Sequence, residues 1–386
     1  MTPAELFERL ALGEDSRHQF KADVKNDTSL AAEMMAFANS GGGYLILGVD
    51  DHGQVVGLTP AQIRRLNQLI ANTAAQKIRP PLNPVTENIR LDGGIVMLVT
   101  IANSITKPHT DLQGAIWVKF GADKRRASRE EMQRLFQSSS LVHADVVPVD
   151  GTTLADFDTK SFQAYFQARY EMEITESKLP LPQLLNNLNL AQNGTLNLAG
   201  LLLFGQDPQR WRPQFMIKGM TYPGTEIDLD TYMDCQDIFG AFPDLFRQAV
   251  AFVLRNLRHL QDGQGINSKG RPEIPRLVLE ELLVNALVHR DYFIAAPIRV
   301  FIYSDRVEII SPGHLPNHLR IEHIQHGITN QRNPVLASHA SHLLPYQGIG
   351  TGITRALRAY PAITFTDDRD GNQFKVCMQR RNTNPA

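Results

Sequence analysis

The chain has 386 residues, of which 42% are hydrophobic and 20% charged, the composition of a globular protein with room for two or three domains. A net charge of −1 excludes a globally basic nucleic-acid-binding protein, so any such surface must be a local patch. The two cysteines, Cys235 and Cys377, are too few for a disulfide framework or a zinc site of their own.

The N-terminus and the hydropathy pattern indicate in which cellular compartment the protein is found. Residues Met1 to Glu5 contain no basic region leading into an apolar core, so the sequence predicts no signal peptide. No apolar run approaches the ~18 residues of a membrane span. We therefore expect a cytoplasmic protein that has no membrane partner.

The N-terminal third alternates short helices and strands. Thr2 and Thr59 are each followed by a proline, which predicts two helix starts. The apolar run Tyr44–Val49 predicts a buried strand. Three more strands and a helix are predicted near 85–89, 95–101, 115–120 and 128–137. The polar stretch 138–151 then predicts a linker, and we place the first domain at residues 1–140.

The middle segment, 141–265, predicts a linker and an α+β region that could brace its neighbour or mediate homo-oligomerisation. Residues 154–195 have a helical pattern, and 240–262 predict a long amphipathic helix. The runs Leu201–Gly205 and Gln214–Tyr222 predict strands.

The last domain, 266–386, has the clearest pattern. A helix is predicted over 275–290, followed by strands at Ile298–Tyr303 and Val307–Ile310. Asp370-Gly371 separates two further strands and predicts a hairpin. Helices on one face of a mixed or antiparallel sheet predict an α+β fold.

Two features of this domain predict a nucleotide site. Glu281 and Asn285 lie four residues apart and therefore on one face of a helix. Gly348, Gly350 and Gly352 form a glycine-rich turn running into a helix, which presents bare N–H groups to an anion. Each motif by itself arises often by chance. The prediction of a nucleotide site therefore rests on the order and spacing of the two motifs.

These residues resemble a known family. The segment Glu281 to Ala286 resembles the N-box of the GHKL ATPases, whose fold is a Bergerat-type α/β sandwich, and Gly348 to Gly352 resembles their second glycine box. More closely, Asn285 to Tyr292, Asp305 to Gly313 and Arg332-Asn333-Pro334 resemble the divergent GHKL-type domain that is paired with a Schlafen-like AlbA domain. Proteins with that pairing are usually labelled transcriptional regulators or "divergent AAA" proteins.

The resemblance implies ATP and Mg²⁺ as cofactors. It makes Asn285 the magnesium ligand and Glu281 the residue that accepts a proton from the attacking water. It places phosphate on the glycine box and makes 311–347 a lid, with Arg332 neutralising phosphate charge. Ser311 and Gly313 occupy the first glycine box, where Ser311 replaces the Asp that binds the adenine amine. The missing charge-assisted hydrogen bond, about 1.5–3 kcal/mol, leaves base selectivity open.

The N-terminal residues resemble the Schlafen-like AlbA domain. The matching segments are Gln19-Phe20-Lys21, Ala36 to Gly43 and Leu47 to Leu58. The resemblance implies binding to DNA or RNA. The basic residues predicted to contact phosphates are Lys21, Lys119, Lys124, Arg125, Arg126 and Arg129. Asp123, Glu130 and Glu131 interrupt this run, so an ordinary solvated surface explains it equally well.

Some relatives cleave RNA with a divalent ion held by acidic residues. Glu14, Asp50 and Asp51 could form such a cluster. Gln19, however, is neutral where an acid is expected, and Asp50-Asp51-His52-Gly53 also reads as a hairpin turn.

Three functions remain open from the sequence. The first is a regulator that binds nucleic acid and ATP, in which the nucleotide state controls domain docking or oligomerisation, with a possible Mg²⁺-dependent ATPase activity. The second is a metal-dependent RNA endonuclease gated by nucleotide. The third is an interaction protein whose nucleotide fold is degenerate.

Overall fold

The computed structural model describes residues 2–139, 142–228, 230–261, 270–316 and 319–380. It divides into an N-terminal unit, Met1–Val142, and a C-terminal unit, His143–Ala386. The sequence-based boundaries at 140/141 and 265/266 both lie outside the described residues.

The N-terminal unit is built on a four-stranded sheet of order β1-β2-β4-β3, in which only β1 and β2 are parallel. Helix α2 packs on α3 and on the β5–β6 hairpin, and its residues from Leu30 to Asn39 are all buried. The elements of this unit are α1 (Pro3–Ala11), β1 (His18–Lys21), α2 (Asp27–Asn39), β2 (Gly43–Leu47), α3 (Pro60–Gln76), β3 (Val85–Leu91), β4 (Gly94–Ile101), β5 (Trp117–Phe120), β6 (Asp123–Arg126) and α4 (Arg129–Ser138).

The elements of the C-terminal unit are α5 (Thr159–Tyr170), α6 (Leu181–Asn187), β7 (Ala191–Gln192), β8 (Thr195–Leu196), α7 (Leu198–Phe204), α8 (Pro208–Trp211), β9 (Ile217–Thr221), β10 (Asp234–Ile238), α9 (Phe242–Asn256), β11 (His259–Leu260), β12 (Arg271–Pro272), α10 (Arg276–His289), β13 (Ile298–Ile302), β14 (Arg306–Pro312), α11 (Ile321–Gln325), α12 (Pro334–Leu343), α13 (Thr351–Ala359), β15 (Ile363–Asp368) and β16 (Gln373–Gln379). Three short 3₁₀ helices lie at Ala144–Val146, Leu154–Asp156 and Ile174–Ser177.

A six-stranded open sheet of order β10-β9-β13-β14-β16-β15 organises this unit. Strands β9 and β13 are parallel, and the other neighbours are antiparallel. Helix α10 packs against α9, α13 and β14. Because it is enclosed in this way, α10 is apolar around most of its circumference. The predicted α+β class is confirmed, and one core extends from Ala144 to Met378.

Two predictions for the middle segment need correction. Leu201–Gly205 was predicted as a strand, but Leu198–Phe204 is a helix, because Asn197 caps its N-terminus by accepting a hydrogen bond from the N–H of Gly200. A short buried apolar run does not distinguish the two structures by periodicity. The helix predicted over 240–262 is shorter, Phe242–Asn256. The predicted β15–β16 hairpin is confirmed. No described helix combines the length and apolarity needed to span a bilayer.

Candidate functional site

Helices α10 and α13 bring the two predicted motifs together at one cavity. Glu281, Asn285 and the glycines from Gly348 to Gly352 all line it. The two helices approach closely at Gly352, where a Cβ atom would lie 3.3 Å from Nδ2 of Asn285 and closer still to Oε2 of Glu281. The side chains of α10 therefore meet the backbone at the start of α13.

The turn before α13 requires glycine at two positions. Gly348 and Gly350 have φ angles of 70° and 80°, and a side chain on Gly350 would clash with the carbonyl oxygen of Gly327. Gly350 is the N-cap of α13, and no side chain caps the first turn of this helix. The amides of that first turn are therefore free to face an anion in the cavity.

Glu281 is almost fully buried, 4% exposed, at the floor of the cavity. Its carboxylate forms an ion pair with the guanidinium of Arg355 in α13. Burial raises the pKa of Glu281, and the charge of Arg355 opposes that rise. Arg355 belongs to none of the motifs that predict the site from the sequence. Its position one turn into a helix that follows a glycine box is a usable signal, because helical side chains tilt towards the N-terminus.

Asn285 lies one turn further along α10 and is half-buried. Its Nδ2 donates a hydrogen bond of 2.6 Å to the carbonyl oxygen of Glu281. Because the nitrogen is used in this way, the side-chain oxygen is the atom left for a ligand such as a cation.

The deep wall of the cavity is apolar and includes Ile309, Phe365, Phe374 and Val376. Ser311 lines it too, but its hydroxyl donates to the carbonyl oxygen of Ala286 at 3.4 Å. The hydroxyl that replaces the expected carboxylate therefore contacts the protein's own backbone.

His289 and Tyr346 form a polar pair at another part of the wall. The Tyr346 hydroxyl lies 3.0 Å from Nε2 of His289. Burial lowers the pKa of His289 to about 4, and the nearby charge of Arg332 adds to the effect. His289 is therefore neutral at physiological pH and can accept a hydrogen bond.

The segment 311–347 forms part of the cavity rim, where Leu315, Leu319, Ile324 and Ile328 contribute apolar side chains. Residues 317–318 of this predicted lid lie outside the described residues. Gly313 lines the cavity with a φ of 98°.

Arg332 differs from the other predicted nucleotide-binding residues in its position. It does not line the cavity, and its Nη2 donates 2.8 Å to the carbonyl oxygen of His314. Burial lowers its pKa. The guanidinium is engaged by the chain itself in this arrangement, and its phosphate contact stays a prediction.

The predicted basic patch of the N-terminal unit is largely neutralised. The Lys119 side chain is only 2% exposed, and its ammonium donates to Gln19 Oε1 at 2.8 Å and to Glu33 Oε1 at 3.1 Å. Lys124 pairs with Glu33 at 2.7 Å. Lys119 is thus a buried structural residue, which corrects its predicted role in contacting phosphates.

The remaining basic residues differ in whether their charges are paired with acidic side chains and whether they are exposed. Arg125 forms two hydrogen bonds to Glu131, at 2.7 and 2.8 Å. Arg126 and Arg129 are exposed, and the guanidinium of Arg126 lies 5.8 Å from the ring centre of Trp117. Of the six predicted basic residues, these two are the exposed ones.

The predicted acidic cluster is not assembled. Oε1 of Glu14 accepts hydrogen bonds from the Gln19 amide at 2.7 Å and from the Phe20 N–H at 2.6 Å. Lys21 lies between Glu14 and Asp51, at 3.9 and 3.7 Å. Asp50 instead accepts N–H bonds within its turn. Among the described residues, no three His, Cys, Asp or Glu side chains converge to hold a metal.

Three family models match the chain. Residues 14–128 match the Schlafen AlbA_2 domain, and residues 295–378 match a model described as "Putative ATP-dependent DNA helicase recG C-terminal". Residues 133–218 match a domain of unknown function, DUF8451. The second match includes the glycine box and Arg355, whereas Glu281 and Asn285 lie before it.

Two solved structures are similar. The DIP2311 protein from Corynebacterium diphtheriae is 21% identical, with a TM-score of 0.46, over 98% of this chain and 69% of that one. The N-terminal domain of a RecG-related protein from Nitrosomonas europaea is 24% identical, with a TM-score of 0.25, over 33% of this chain and 94% of that one. No curated protein matches the chain. The family models nonetheless identify a chain with an N-terminal Schlafen AlbA_2 domain and a C-terminal RecG-like ATPase-type domain, a pairing that indicates a nucleic-acid-associated, ATP-binding protein.

Proposed function

We propose that this protein is a regulator that binds ATP with Mg²⁺ in its C-terminal unit and DNA or RNA through its N-terminal unit. The observation that carries the proposal is the contact of Gly352 with Glu281 and Asn285. Two motifs that are weak separately meet there in one cavity, beside the uncapped end of a helix. A cytoplasmic location and homo-oligomerisation stay predictions.

Each part of the cavity suits a different part of a nucleotide. The first-turn amides of α13 suit phosphate oxygens. The side-chain oxygen of Asn285 suits Mg²⁺, which takes few protein ligands and whose charge would offset that of the phosphates. The apolar wall of Ile309, Phe365 and Val376 suits a base. Because the hydroxyl of Ser311 is engaged by the backbone, we expect weak discrimination between adenine and guanine.

Glu281 is the residue in position to accept a proton from water. Its burial favours proton uptake, because a buried carboxylate is poorly solvated. The charge of Arg355, which is paired with Oε1, opposes this proton uptake because it stabilises the ionised carboxylate.

Thermal unfolding with and without Mg²⁺-ATP tests the nucleotide site. At a concentration of 100 times Kd, ATP is expected to stabilise the protein by about 2.7 kcal/mol. Asn285→Ala should reduce the shift, whereas Asn187→Ala, an exposed asparagine on α6, should not. An unchanged melting curve at millimolar ATP would refute the proposal.

Fluorescence anisotropy with labelled single-stranded DNA and RNA tests the other unit. Arg126→Ala should weaken binding and lower the salt slope by about one. Arg64→Ala removes the same charge from an exposed site on α3 and is the matched control. Equal effects of the two variants would contradict a local interface at Arg126.

The alternative of a metal-dependent nuclease draws no support from the N-terminal unit. Glu14 is bonded to Gln19 and Phe20, and Lys119 lies where it satisfies Gln19 and Glu33. Neutral N–H donors thus occupy Oε1 of Glu14 and an ammonium group occupies Oε1 of Glu33, so these oxygens are already bonded within the protein.

A further inference from the structure

Arg355 stands apart from the other residues that line the cavity. Among the described lining residues it is the only arginine or lysine. Its side chain is 37% exposed, whereas that of its partner Glu281 is 5% exposed. The Nε atom of Arg355 is buried and has no hydrogen-bond partner. The guanidinium is therefore only partly satisfied by Glu281, and the exposed part of the side chain lines the cavity.

The position of Arg355 in α13 directs it towards the helix start. The helix begins at Thr351, so Arg355 lies about one turn, roughly 5.4 Å, into it. Side chains on a helix tilt towards its N-terminus. The guanidinium and the uncapped amides of Thr351 and Gly352 are thus brought to the same end of the cavity, and both favour an anion.

We propose that Arg355 is a phosphate-responsive switch residue, which holds Glu281 in the nucleotide-free protein and turns to the terminal phosphate of a bound nucleoside triphosphate. This inference rests on the proposed nucleotide site and adds a regulatory step to it. Release of Arg355 leaves the Glu281 carboxylate free to accept a hydrogen bond from water. The ion pair thereby keeps Glu281 inactive until a triphosphate is present.

The chemistry favours a triphosphate over a diphosphate. Release of Arg355 leaves the buried charge of Glu281 unpaired, which is costly, so the arginine must gain a contact strong enough to offset that cost. A phosphate group provides such a contact, because it accepts charge-assisted hydrogen bonds from arginine, often two at once. A diphosphate that ends short of the guanidinium would leave the pair with Glu281 intact.

The test is calorimetric binding of Mg²⁺-ATP and Mg²⁺-ADP to the full chain. Arg355→Gln is expected to weaken ATP binding about 10- to 100-fold and to change ADP binding little. Arg358→Gln removes the same charge from the exposed last turn of the same helix and should leave both affinities unchanged. Glu281→Gln frees Arg355 without nucleotide, so it should tighten ATP binding several-fold.

The double variant Glu281→Gln/Arg355→Gln removes both charges of the pair together and so keeps the test valid if the single Arg355 variant unfolds. It should bind ATP no better than Arg355→Gln does. If the parent binds neither nucleotide, the proposed function itself fails. If the parent binds ATP but Arg355→Gln keeps the parent's ratio of ATP to ADP affinity, the nucleotide site stands and the switch is refuted. Unchanged ATP affinity in Glu281→Gln would refute the competition between carboxylate and phosphate.

Discussion

Gly352 is the residue on which the geometry of the cavity depends most directly. Its Cα faces Oε2 of Glu281, and even a methyl group would be closer to that oxygen than real Cβ atoms come. We expect Gly352→Ala to push the first-turn amides of α13 away from Glu281 and Asn285 and to weaken ATP binding about tenfold, or 1.4 kcal/mol. Gly224→Ala is the control for calorimetry, since a Cβ there meets no atom within 4 Å. Equal affinities for the two variants would contradict this account of the site.

His339 makes the stability of the C-terminal unit sensitive to pH. It is 3% exposed, its Nε2 faces the carbonyl oxygen of Leu188 at 3.1 Å, and its Nδ1 faces the Tyr165 hydroxyl at 2.5 Å. Burial lowers its pKa to about 4. Because the unfolded state takes up a proton near pH 6.5 and the folded state does not, stability is full above pH 6.5. It falls as the pH approaches 4, by up to about 1.4 kcal/mol per pH unit for this residue.

Urea unfolding at pH 7 and pH 4.5 measures this effect. His339→Gln should show a smaller loss of stability between the two pH values than the parent. His342→Gln changes an exposed histidine on the same helix and should keep the parent's loss. If His339→Gln keeps it as well, burial of His339 is not the cause.

At the residue scale, the sequence predicted which side chains carry chemistry but not their partners. Glu281 and Asn285 could be found because their contact with each other is set by helical periodicity. The partner of Glu281 is 74 residues away, and Glu33, the partner of Lys119, is 86 residues away from it. Local patterns contain no information on such pairs. This is why Arg355 was overlooked and Lys119 was assigned to the surface.

The Arg332-Asn333-Pro334 motif explains how α10 is held in place. Nδ2 of Asn333 donates 2.9 Å hydrogen bonds to the carbonyl oxygens of Val288 and Arg290, at the end of α10. Pro334 is the first residue of α12. Asn333 and Pro334 therefore join the helix that carries Glu281 to the start of α12, and the phosphate contact of Arg332 stays a prediction.

Asn333→Ala removes both of these bonds at a position that is 1% exposed. It leaves two buried carbonyl groups without this donor, so we expect a loss of about 2–3 kcal/mol in the free energy of unfolding. Chemical denaturation measures the loss, with exposed Asn187→Ala as the reference for removing an amide. Asn333→Asp should be at least as destabilising, because a carboxylate repels the carbonyl oxygens. A loss below about 0.5 kcal/mol would show that the motif does not anchor α10.

At the element scale, helices that begin with capping residues could be predicted from the sequence. The secondary structure of short apolar runs could not. Thr2 and Thr59 each form a complete capping box with the residue three positions later. Leu198–Phe204 is buried along its whole length, so it has neither the alternation of a strand nor the stripe of a surface helix. Its N-cap, Asn197, was the one local signal that favoured a helix.

The whole chain contains separate hydrophobic cores in its two units. The core that surrounds the cavity extends from Ala144 to Met378, and the N-terminal sheet has its own clusters on its two faces. A ligand stabilises the unit in which it binds. Calorimetric unfolding should therefore show two transitions, and Mg²⁺-ATP should raise the midpoint of only one of them.

The variant Lys119→Met identifies which of the two unfolding transitions belongs to the N-terminal unit. The variant removes the cation from the buried pair with Glu33, whose side chains are 2% and 7% exposed, and leaves Glu33 with Lys124 alone. Breaking a buried pair in this way typically costs about 3–5 kcal/mol, and the partial compensation by Lys124 places our expectation near the lower end.

The transition that Lys119→Met lowers should be the one that ATP leaves unchanged. If ATP raises both midpoints, nucleotide binding is coupled to the N-terminal unit, as nucleotide control of nucleic-acid binding requires. If ATP raises the transition that Lys119→Met lowers and no other, the nucleotide binds in the N-terminal unit and the assignment of the cavity is wrong.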